Sequence, residues 1–155
     1  MENMEIERKF LVKYMPNIQG CQKFYIKQGY ISTNPVLRIR QINEKYIFTF
    51  KGKGDIQRQE IEKEINKEEF DNLWLKIEGE PIIKTRYIIL LDNNLKAELD
   101  IYEGNLKGFK NVEVEFNSIK EAYDFNPPDW FGEDITKNLK YTNAYLSKIS
   151  SLNNK

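Results

Sequence analysis

Polar and apolar residues alternate with a period of two along most of this chain, which is the pattern of half-buried β-strands. Glu5, Glu7 and Lys9 occupy odd positions of the first such stretch, whereas Ile6 and Phe10 share the opposite face. Similar stretches recur along the chain and together predict about eight strands. The predicted strands are Glu5–Val12, Phe24–Tyr30, Val36–Arg40, Tyr46–Lys51, Arg58–Ile65, Ile83–Leu91, Ala97–Tyr102 and Val112–Phe116.

Helices are fewer and are predicted from capping residues and from apolar residues at helical spacing. Asn66 is placed to cap a helix over Lys67–Ile77, which has acidic residues in its first turn. Ser118 opens a capping-box pattern, Ser-Ile-Lys-Glu, ahead of a short helix that ends near Phe125. A last helix is expected over Leu139–Ser150.

The connections between these elements show turn and chain-break signals. Gly52–Gly54 is interpreted as a hairpin turn, Pro127-Pro128 breaks the chain, and Trp130–Gly132 is interpreted as an aromatic turn. Residues after Leu152 are expected to form a frayed polar tail. Because the 155 residues contain no internal repeat or linker, we expect a single domain over residues 1–155.

The charges on the polar strand faces segregate by strand. Acidic residues lie on the first, fifth, seventh and eighth predicted strands, and basic residues lie on the third, fourth and sixth. Any one of these faces is also typical of the solvent-exposed side of a sheet. The opposite faces are almost purely apolar, however, and a closed barrel with its charges inside explains the whole set. We therefore expect a mainly β (α+β) fold, a closed eight-stranded antiparallel β-barrel with a few peripheral helices.

The amino-acid composition argues against several classes of function. Lys+Arg and Asp+Glu each number 24, and this balance argues against a general nucleic-acid or anionic-membrane binder. The chain has no histidine, so Ser-His-Asp and Cys-His catalysis are excluded. It has no membrane-spanning apolar run, no signal-peptide pattern and only one cysteine, Cys21, which leads us to expect a cytoplasmic protein. No pattern in the sequence indicates an oligomeric state.

A lumen lined by lysine and arginine suits a polyanion, because guanidinium groups pair with phosphate oxygens and lysine supplies a point charge. Carboxylates beside such an anion would repel it without a cation between them. Ligands that are all oxygen favour hard ions such as Mg²⁺ or Mn²⁺. The predicted lumen is therefore suited to a complex of metal and phosphate.

The residues of the first strand, Glu5-Ile-Glu7-Arg-Lys9, match the E-x-E-x-K signature of the CYTH superfamily, the triphosphate tunnel metalloenzymes. Further matches follow in order, so the resemblance covers nearly the whole chain. They are Gln28-Gly-Tyr30, Arg38-x-Arg40, Thr49-Phe-Lys51-Gly52, Arg58-x-Glu60-x-Glu62, Lys84-Thr-Arg86-Tyr87, Glu98-Leu-Asp100-x-Tyr102, Glu113-Val-Glu115, Trp130-Phe-Gly132 and Tyr141-x-Asn143. The chain most resembles the short, single-domain prokaryotic members, many of which are inorganic triphosphatases.

The resemblance implies an eight-stranded tunnel with the substrate along its axis, and it implies roles for individual residues. The implied metal ligands are Glu5, Glu7, Glu113 and Glu115, with Asp100 as a further candidate. The implied phosphate-binding residues are Lys9, Arg38, Arg40, Lys51, Arg58, Lys84 and Arg86. Lys84 and Tyr30 are a possible proton-donating pair for the leaving phosphate. Glu60 and Glu62 are further catalytic candidates, and together with Glu98 and Asp100 they are implied to hold metal or water, or to orient the bases through ion pairs.

The implied reaction is hydrolysis of inorganic triphosphate to pyrophosphate and phosphate, with two Mg²⁺ or Mn²⁺ ions as cofactors. One ion would polarise the terminal phosphoryl group, and a second would lower the pKa of the attacking water. The alternatives are a thiamine or nucleoside triphosphatase, an adenylate cyclase and a non-catalytic polyphosphate-binding module. Both E-x-E pairs are present, which favours an enzyme over the binding module, and no base or ribose pocket is evident in the sequence.

Overall fold

Strands make up most of the protein, which is described by a computed structural model over residues 2–148. The strands are β1 (Glu2–Val12), β2 (Gln22–Thr33), β3 (Val36–Ile42), β4 (Lys45–Lys51), β5 (Gln57–Ile65), β6 (Glu78–Leu90), β7 (Lys96–Tyr102), β8 (Lys110–Glu115) and β9 (Phe131–Asp134). Every pairing is antiparallel, in the order β5-β4-β3-β2-β6-β7-β8-β1-β9. The eight strands predicted from alternation are all present.

Strand β1 closes the sheet into a barrel because it pairs at both of its edges. Its first half, Glu2–Ile6, pairs with β5, and residues Glu7–Leu11 pair with β8. Closure leaves the eight barrel strands without a free edge along their paired lengths. The mainly β, closed eight-stranded antiparallel barrel expected from the sequence is confirmed.

The ninth strand is a departure from the prediction. Trp130–Gly132 was expected to form a turn, but the turn ends at Trp130, and Phe131 opens β9 opposite Val12 of β1. The buried Phe131 ring packs 5.0 Å from the ring of Phe10, so contact with the barrel wall decides its conformation. A four-residue strand is too short to show alternation, which is why the pattern did not predict it.

Two peripheral helices lie where capping residues placed them. Helix α1 (Lys67–Trp74) has a full capping box between Asn66 and Glu69, and it ends three residues before the predicted Ile77. Its Phe70 ring stacks on Trp74 and lies 5.0 Å from the ring of Tyr46 on β4. Helix α2 (Ile119–Asp124) begins at Ser118, whose hydroxyl accepts a hydrogen bond from the backbone N–H of Glu121.

The prediction of one continuous C-terminal helix over Leu139–Ser150 is wrong. A 3₁₀ turn at Leu139–Tyr141 is followed by extended backbone at Thr142 and then by helix α3 (Asn143–Leu146). The Thr142 hydroxyl caps α3 by accepting a hydrogen bond from the N–H of Tyr145, so a new helix starts there. Residues 149–150 and the predicted tail lie outside the described residues. No helix within residues 2–148 is long and apolar enough to cross a membrane.

The apolar core is divided between the outer face of the barrel and one end of its interior. One cluster, which includes Phe10, Leu99 and Val112, is covered by β9 and α2. A second cluster comprises Ile82, Tyr102, Leu106, Phe109 and Leu146. Tyr102 lies opposite Lys84 in the register, and Ile82 is two residues from Lys84, so both belong to the inner face. Since α3 contributes Leu146 to this cluster, the C-terminal segment packs against one end of the barrel interior.

Candidate active site inside the barrel

The barrel encloses a cavity of about 780 Å³. Its wall includes most of the residues to which the sequence assigned a role: Glu5, Glu7, Lys9, Tyr30, Arg38, Arg40, Lys51, Arg58, Lys84, Arg86, Glu98 and Glu113. Four others lie off this wall: Glu60, Glu62, Asp100 and Glu115. The mouth is completed by the β2–β3 and β4–β5 hairpins and by residues 135–139, and residues 142–144 also line the cavity.

Strand register explains why the charges meet. Directly opposite residues in an antiparallel pair share one face of the sheet. Glu113 of β8 lies opposite both Lys9 of β1 and Glu98 of β7, and Asp100 lies opposite Arg86. The period-two alternation on each strand therefore converges on one interior surface.

Arg38 and Arg40 are two buried members of the basic wall. Both guanidinium groups lie 4.0 Å from Glu62 Oε2, and Arg38 also donates to the hydroxyl of Thr49. Among residues 2–148, the buried Nε–H groups of both arginines have no hydrogen-bond partner. Burial, together with repulsion by Arg38, lowers the pKa of Arg40 to about 9. Unpaired buried donors of this kind suit an anionic ligand.

Lys51 is held by acidic residues of two strands. Its ammonium donates to both carboxylate oxygens of Glu5, at 3.0 and 3.2 Å, and lies 3.7 Å from Glu60. Burial opposes ionisation of Glu5, but Lys51 outweighs it and lowers the pKa of that carboxyl. Burial and the charge of Glu5 raise the pKa of Glu60 to about 7. Glu60 thus contacts Lys51, and Glu62 contacts Arg38 and Arg40.

Glu7 and Glu113 form a carboxylate pair with unequal environments. Burial, followed by repulsion from Glu113, raises the pKa of Glu7 well above its ordinary value. Burial also opposes ionisation of Glu113, but Lys9 and Arg86 outweigh it and hold the pKa of Glu113 below its usual range. No lysine or arginine nitrogen in the described part of the chain lies within 4.0 Å of the Glu7 carboxylate. Of the two carboxyl groups, Glu113 is therefore compensated by bases, with Arg86 at 3.5 Å, whereas Glu7 lacks a close basic partner among the described residues and favours the neutral form.

The residues present suit a hard metal cation only if the substrate phosphates supply some of its ligands. Across residues 2–148, no group of three acidic or cysteine side chains is arranged to hold a metal ion by itself. Glu7 and Glu113 nevertheless face the cavity together, and Glu115 lies opposite Glu7 in the register. Mg²⁺ is usually bound in this way, through one or two carboxylates plus substrate phosphates.

The carboxylate of Asp100 contacts two basic side chains, those of Lys84 and Arg86. Its carboxylate accepts hydrogen bonds from Arg86 at 2.8 and 2.9 Å and lies 2.8 Å from the ammonium of Lys84. Its side chain is fully buried. The geometry favours an orienting role for Asp100 over the metal-ligand role expected from the resemblance, which stays a prediction. Burial lowers the pKa of Lys84 to about 7, against the attraction of Asp100.

Tyr30 lies buried on the cavity wall but is not among the hydrogen-bond partners of Lys84. Lys84 instead contacts Asp100 and the side-chain oxygen of Asn143, and its ammonium lies 5.3 Å from the centre of the Tyr102 ring. The proposed proton-donating pair is therefore not formed in this arrangement. A catalytic role for Tyr30 stays a prediction.

Sequence reasoning missed the neutral polar residues of the interior. Gln28, Thr49, Asn111 and Asn143 carry no charge, so a search for charged faces passes over them, yet each contributes a buried or half-buried hydrogen bond. The one available signal for Asn143 was the Tyr-x-Asn match near the C-terminus.

Comparison with known proteins identifies the family. Residues 3–149 match the family described as the CYTH domain. The chain belongs to the CYTH domain family. An inorganic triphosphatase of Nitrosomonas europaea is 40% identical over 146 residues, covering 92% of this chain and 96% of that protein. An inorganic triphosphatase of Acetivibrio thermocellus is 31% identical over 148 residues, covering 93% of each chain.

The CYTH fold is also found among solved structures. The crystal structure of an inorganic triphosphatase aligns with a TM-score of 0.71 at 37% identity, covering 95% of this chain and 96% of that one. The family resemblance drawn from the ordered motifs is thus confirmed. The barrel interior described above corresponds to the part of the CYTH domain that carries those motifs.

Proposed function

We propose that this CYTH protein hydrolyses inorganic triphosphate to pyrophosphate and phosphate. The observation that supports this most is that buried, incompletely paired bases face the same cavity as two adjacent carboxyl groups, of which Glu7 lacks a basic partner within 4.0 Å among the described residues. A polyanion alone would suit the bases and be repelled by the carboxylates, whereas a phosphate chain carrying a cation suits both. The two relatives named inorganic triphosphatase, each covering more than nine-tenths of the chain, support the same substrate.

The proposed cofactor is Mg²⁺ or Mn²⁺, bound as two ions. Glu7 and Glu113 would hold metal, with Glu5 and Glu115 as the neighbouring carboxylates. When bound, such ions polarise a phosphoryl oxygen and lower the pKa of an attacking water. Because these ligands are all oxygen, hard divalent ions are favoured over softer metals.

The bases bind the phosphate chain and stabilise charge as it moves to the leaving group. Arg38 and Arg40 offer buried guanidinium donors on one side of the cavity, and Lys84 and Arg86 offer donors on another. The remaining phosphate-binding residues in this proposal are Lys9, Lys51 and Arg58.

Carboxylates supply the proton chemistry in this proposal, because the chain contains no histidine. Glu60 and Glu62 were assigned catalytic roles from the sequence. Their contacts with Lys51, Arg38 and Arg40 support a role in orienting those bases toward the substrate.

A nucleoside triphosphate is the second candidate substrate. The apolar side chains of Pro35, Val36, Phe50 and Leu139 also line the cavity and could contact a base or a sugar. We rank inorganic triphosphate first because both relatives named above are inorganic triphosphatases.

A phosphate-release assay tests the proposal. Purified protein would be given inorganic triphosphate, ATP, thiamine triphosphate or pyrophosphate, with Mg²⁺ or Mn²⁺. We expect release from inorganic triphosphate with the highest kcat/KM. A higher kcat/KM with ATP or thiamine triphosphate would show that inorganic triphosphate is not the preferred substrate. If no compound released phosphate, the protein would be better explained as a non-catalytic polyphosphate-binding module.

A single domain over residues 1–155, a cytoplasmic location and the absence of nucleic-acid and membrane partners stay predictions from the sequence.

A further inference from the structure

The ammonium of Lys84 has one N–H group left for a ligand. A lysine ammonium carries three donors. One is directed to Asp100 Oδ2 at 2.8 Å, and a second donates to Asn143 Oδ1 at 2.9 Å. Lys84 is almost fully buried and lies on the cavity wall. Because the ammonium is tetrahedral, the ion pair with Asp100 and the hydrogen bond to Asn143 together restrict the direction of the third N–H.

The side-chain amide of Asn143 is itself held in one orientation. Its oxygen accepts hydrogen bonds from Lys84 and, at 2.8 Å, from Nε2 of Gln28. Its nitrogen donates to the hydroxyl of Tyr102 at 2.9 Å, and that hydroxyl also accepts from Asn111 at 3.0 Å. Lysine has no acceptor, so the amide oxygen has to face Lys84.

Asn143 orients Lys84 without neutralising it. The single negative charge of Asp100 is already shared between Lys84 and Arg86. With Lys84 protonated, these three groups together carry one net positive charge. Glu113 and Glu98 lie 3.5 and 3.6 Å from Arg86. A neutral amide preserves that charge, whereas a second carboxylate in the same place would cancel it.

The segment that closes the barrel end also carries this amide. Asn143 is the first residue of α3, and Leu146 of the same helix packs into the apolar cluster with Ile82 and Tyr102. The backbone carbonyl of Tyr141, just before α3, accepts a hydrogen bond from the ammonium of Lys9. Docking of the segment thus places acceptors on two of the cavity lysines.

We propose that Asn143 is a positioning residue that aims the free N–H of Lys84 at a phosphate oxygen, so that docking of the C-terminal segment completes the phosphate site. This inference rests on the proposed function, in that the ligand is a phosphate chain. Asn143 acts through Lys84 and does not contact the reacting atoms.

A double-mutant cycle between Asn143→Ala and Lys84→Met in the full chain tests this coupling. We expect Asn143→Ala to lower kcat/KM for inorganic triphosphate about tenfold, as for a lost hydrogen bond to a charged group. In the Lys84→Met background the same change should cause almost no further loss. Lys148→Ala, at an exposed position just after α3, is the control, and its effect should be small and equal in both backgrounds. Leu146→Ala, which loosens α3 and so displaces Asn143, should lose part of its effect in the Lys84→Met background.

Asn143→Asp tests the charge argument separately. It keeps an acceptor for Lys84 and Gln28, so the thermal midpoint should match or exceed that of the parent. Affinity for the phosphate ligand should nevertheless fall at least as far as in Asn143→Ala. Parent-like affinity in Asn143→Asp would overturn the role of the neutral amide.

The same cycle would be measured by calorimetric binding of pyrophosphate with Mg²⁺, which does not depend on hydrolysis. Coupling in binding without turnover by the parent would reject the proposed reaction and support the role of Asn143. Turnover by the parent with additive losses in both cycles would overturn the role of Asn143 alone. A parent that neither binds pyrophosphate nor releases phosphate would overturn both.

Discussion

Charged side chains inside the barrel differ in how completely their neighbours neutralise them. Asp100 is matched by two bases at hydrogen-bond distance, and Glu5 is matched by Lys51. Glu7 has no such partner among the described residues, and Arg38 and Arg40 meet Glu62 only at 4.0 Å. Buried charge without a close partner is destabilising unless a ligand compensates it. The poorly matched groups are therefore those expected to contact metal and phosphate.

Replacing Glu7 with Gln should reduce turnover about a hundredfold or more, because a charged ligand to the metal is lost where charge stabilisation is strongest. Stability should be retained, since burial and Glu113 already disfavour ionisation of Glu7. Steady-state kinetics and thermal unfolding of Glu7→Gln and of the exposed control Glu44→Gln measure this. Parent-like turnover of Glu7→Gln, or full activity in excess EDTA, would contradict the metal site.

Replacing Arg38 with Ala should reduce catalytic efficiency by about 2–4 kcal/mol, since a buried phosphate-binding donor is removed. Arg8 is the matched control because alternation places it on the outer face. There its guanidinium contacts Asp134 and the carbonyl of Ala122. The measurement is kcat/KM for the two alanine variants. Equal losses would refute the assignment of Arg38 to the barrel interior and of Arg8 to its outer face.

Individual elements show how far the sequence determines the structure. Alternation predicts the barrel strands well, because a strand with one apolar face has a single stable register. It fails for β9, which is held by aromatic contacts over four residues, and for the C-terminal segment, where the Thr142 cap interrupts the predicted helix. Charged site residues could be predicted for the same reason as the strands. The hydrogen bonds of Asn143 could not, since they depend on how α3 docks.

Strand β9 is attached to β1 partly through the ion pair between Arg8 and Asp134 at 2.9 Å. Partial burial opposes ionisation of Asp134, but hydrogen bonds from Thr136 and Arg8 outweigh it and lower the pKa of the carboxyl. A carboxyl with a lowered pKa in the folded state stabilises the fold above its unfolded pKa. That contribution is lost as the pH falls through the folded pKa.

Asp134→Asn should therefore flatten the acid side of the curve of thermal midpoint against pH. Measurements between about pH 7 and pH 3 on metal-free protein cover the range in which carboxyl groups titrate. Glu133→Gln, an exposed neighbour on the same strand, is the control. If Asp134→Asn and the parent lost the same stability on acidification, the ion pair would not contribute to attachment of β9.

The whole barrel has most of its charged side chains inside and its larger apolar cluster outside, with a smaller apolar cluster at one end of the interior. The outer apolar faces are covered by α1, α2 and β9, which lets the interior remain polar. Cavity-lining bases are distributed around the barrel on β1, β3, β4, β5 and β6. A ligand has to be surrounded by several strands to satisfy them together.

Inorganic triphosphate with Mg²⁺ should raise the thermal midpoint more than pyrophosphate or ATP at equal concentration. A ligand that binds only the folded state stabilises it by an amount that rises with the logarithm of its concentration divided by its Kd. Pyrophosphate would leave some buried bases unpaired, which is unfavourable. Differential scanning fluorimetry of the Glu7→Gln variant, in which turnover is suppressed, compares the three ligands. A larger shift with ATP would indicate that the apolar residues of the cavity bind a nucleoside.

Closure of the barrel through β1 has a consequence for how the chain folds during synthesis. The partners of β1 are β5, β8 and β9, all of them remote in sequence. Non-local pairings of this kind slow folding, because long loops have to close before contacts are gained. The N-terminal strand, which carries Glu5, Glu7 and Lys9, has to wait for residues near Glu115 before the ring can close. A nascent chain shorter than this has open sheet edges and incomplete charge pairing, and is the species most exposed to aggregation.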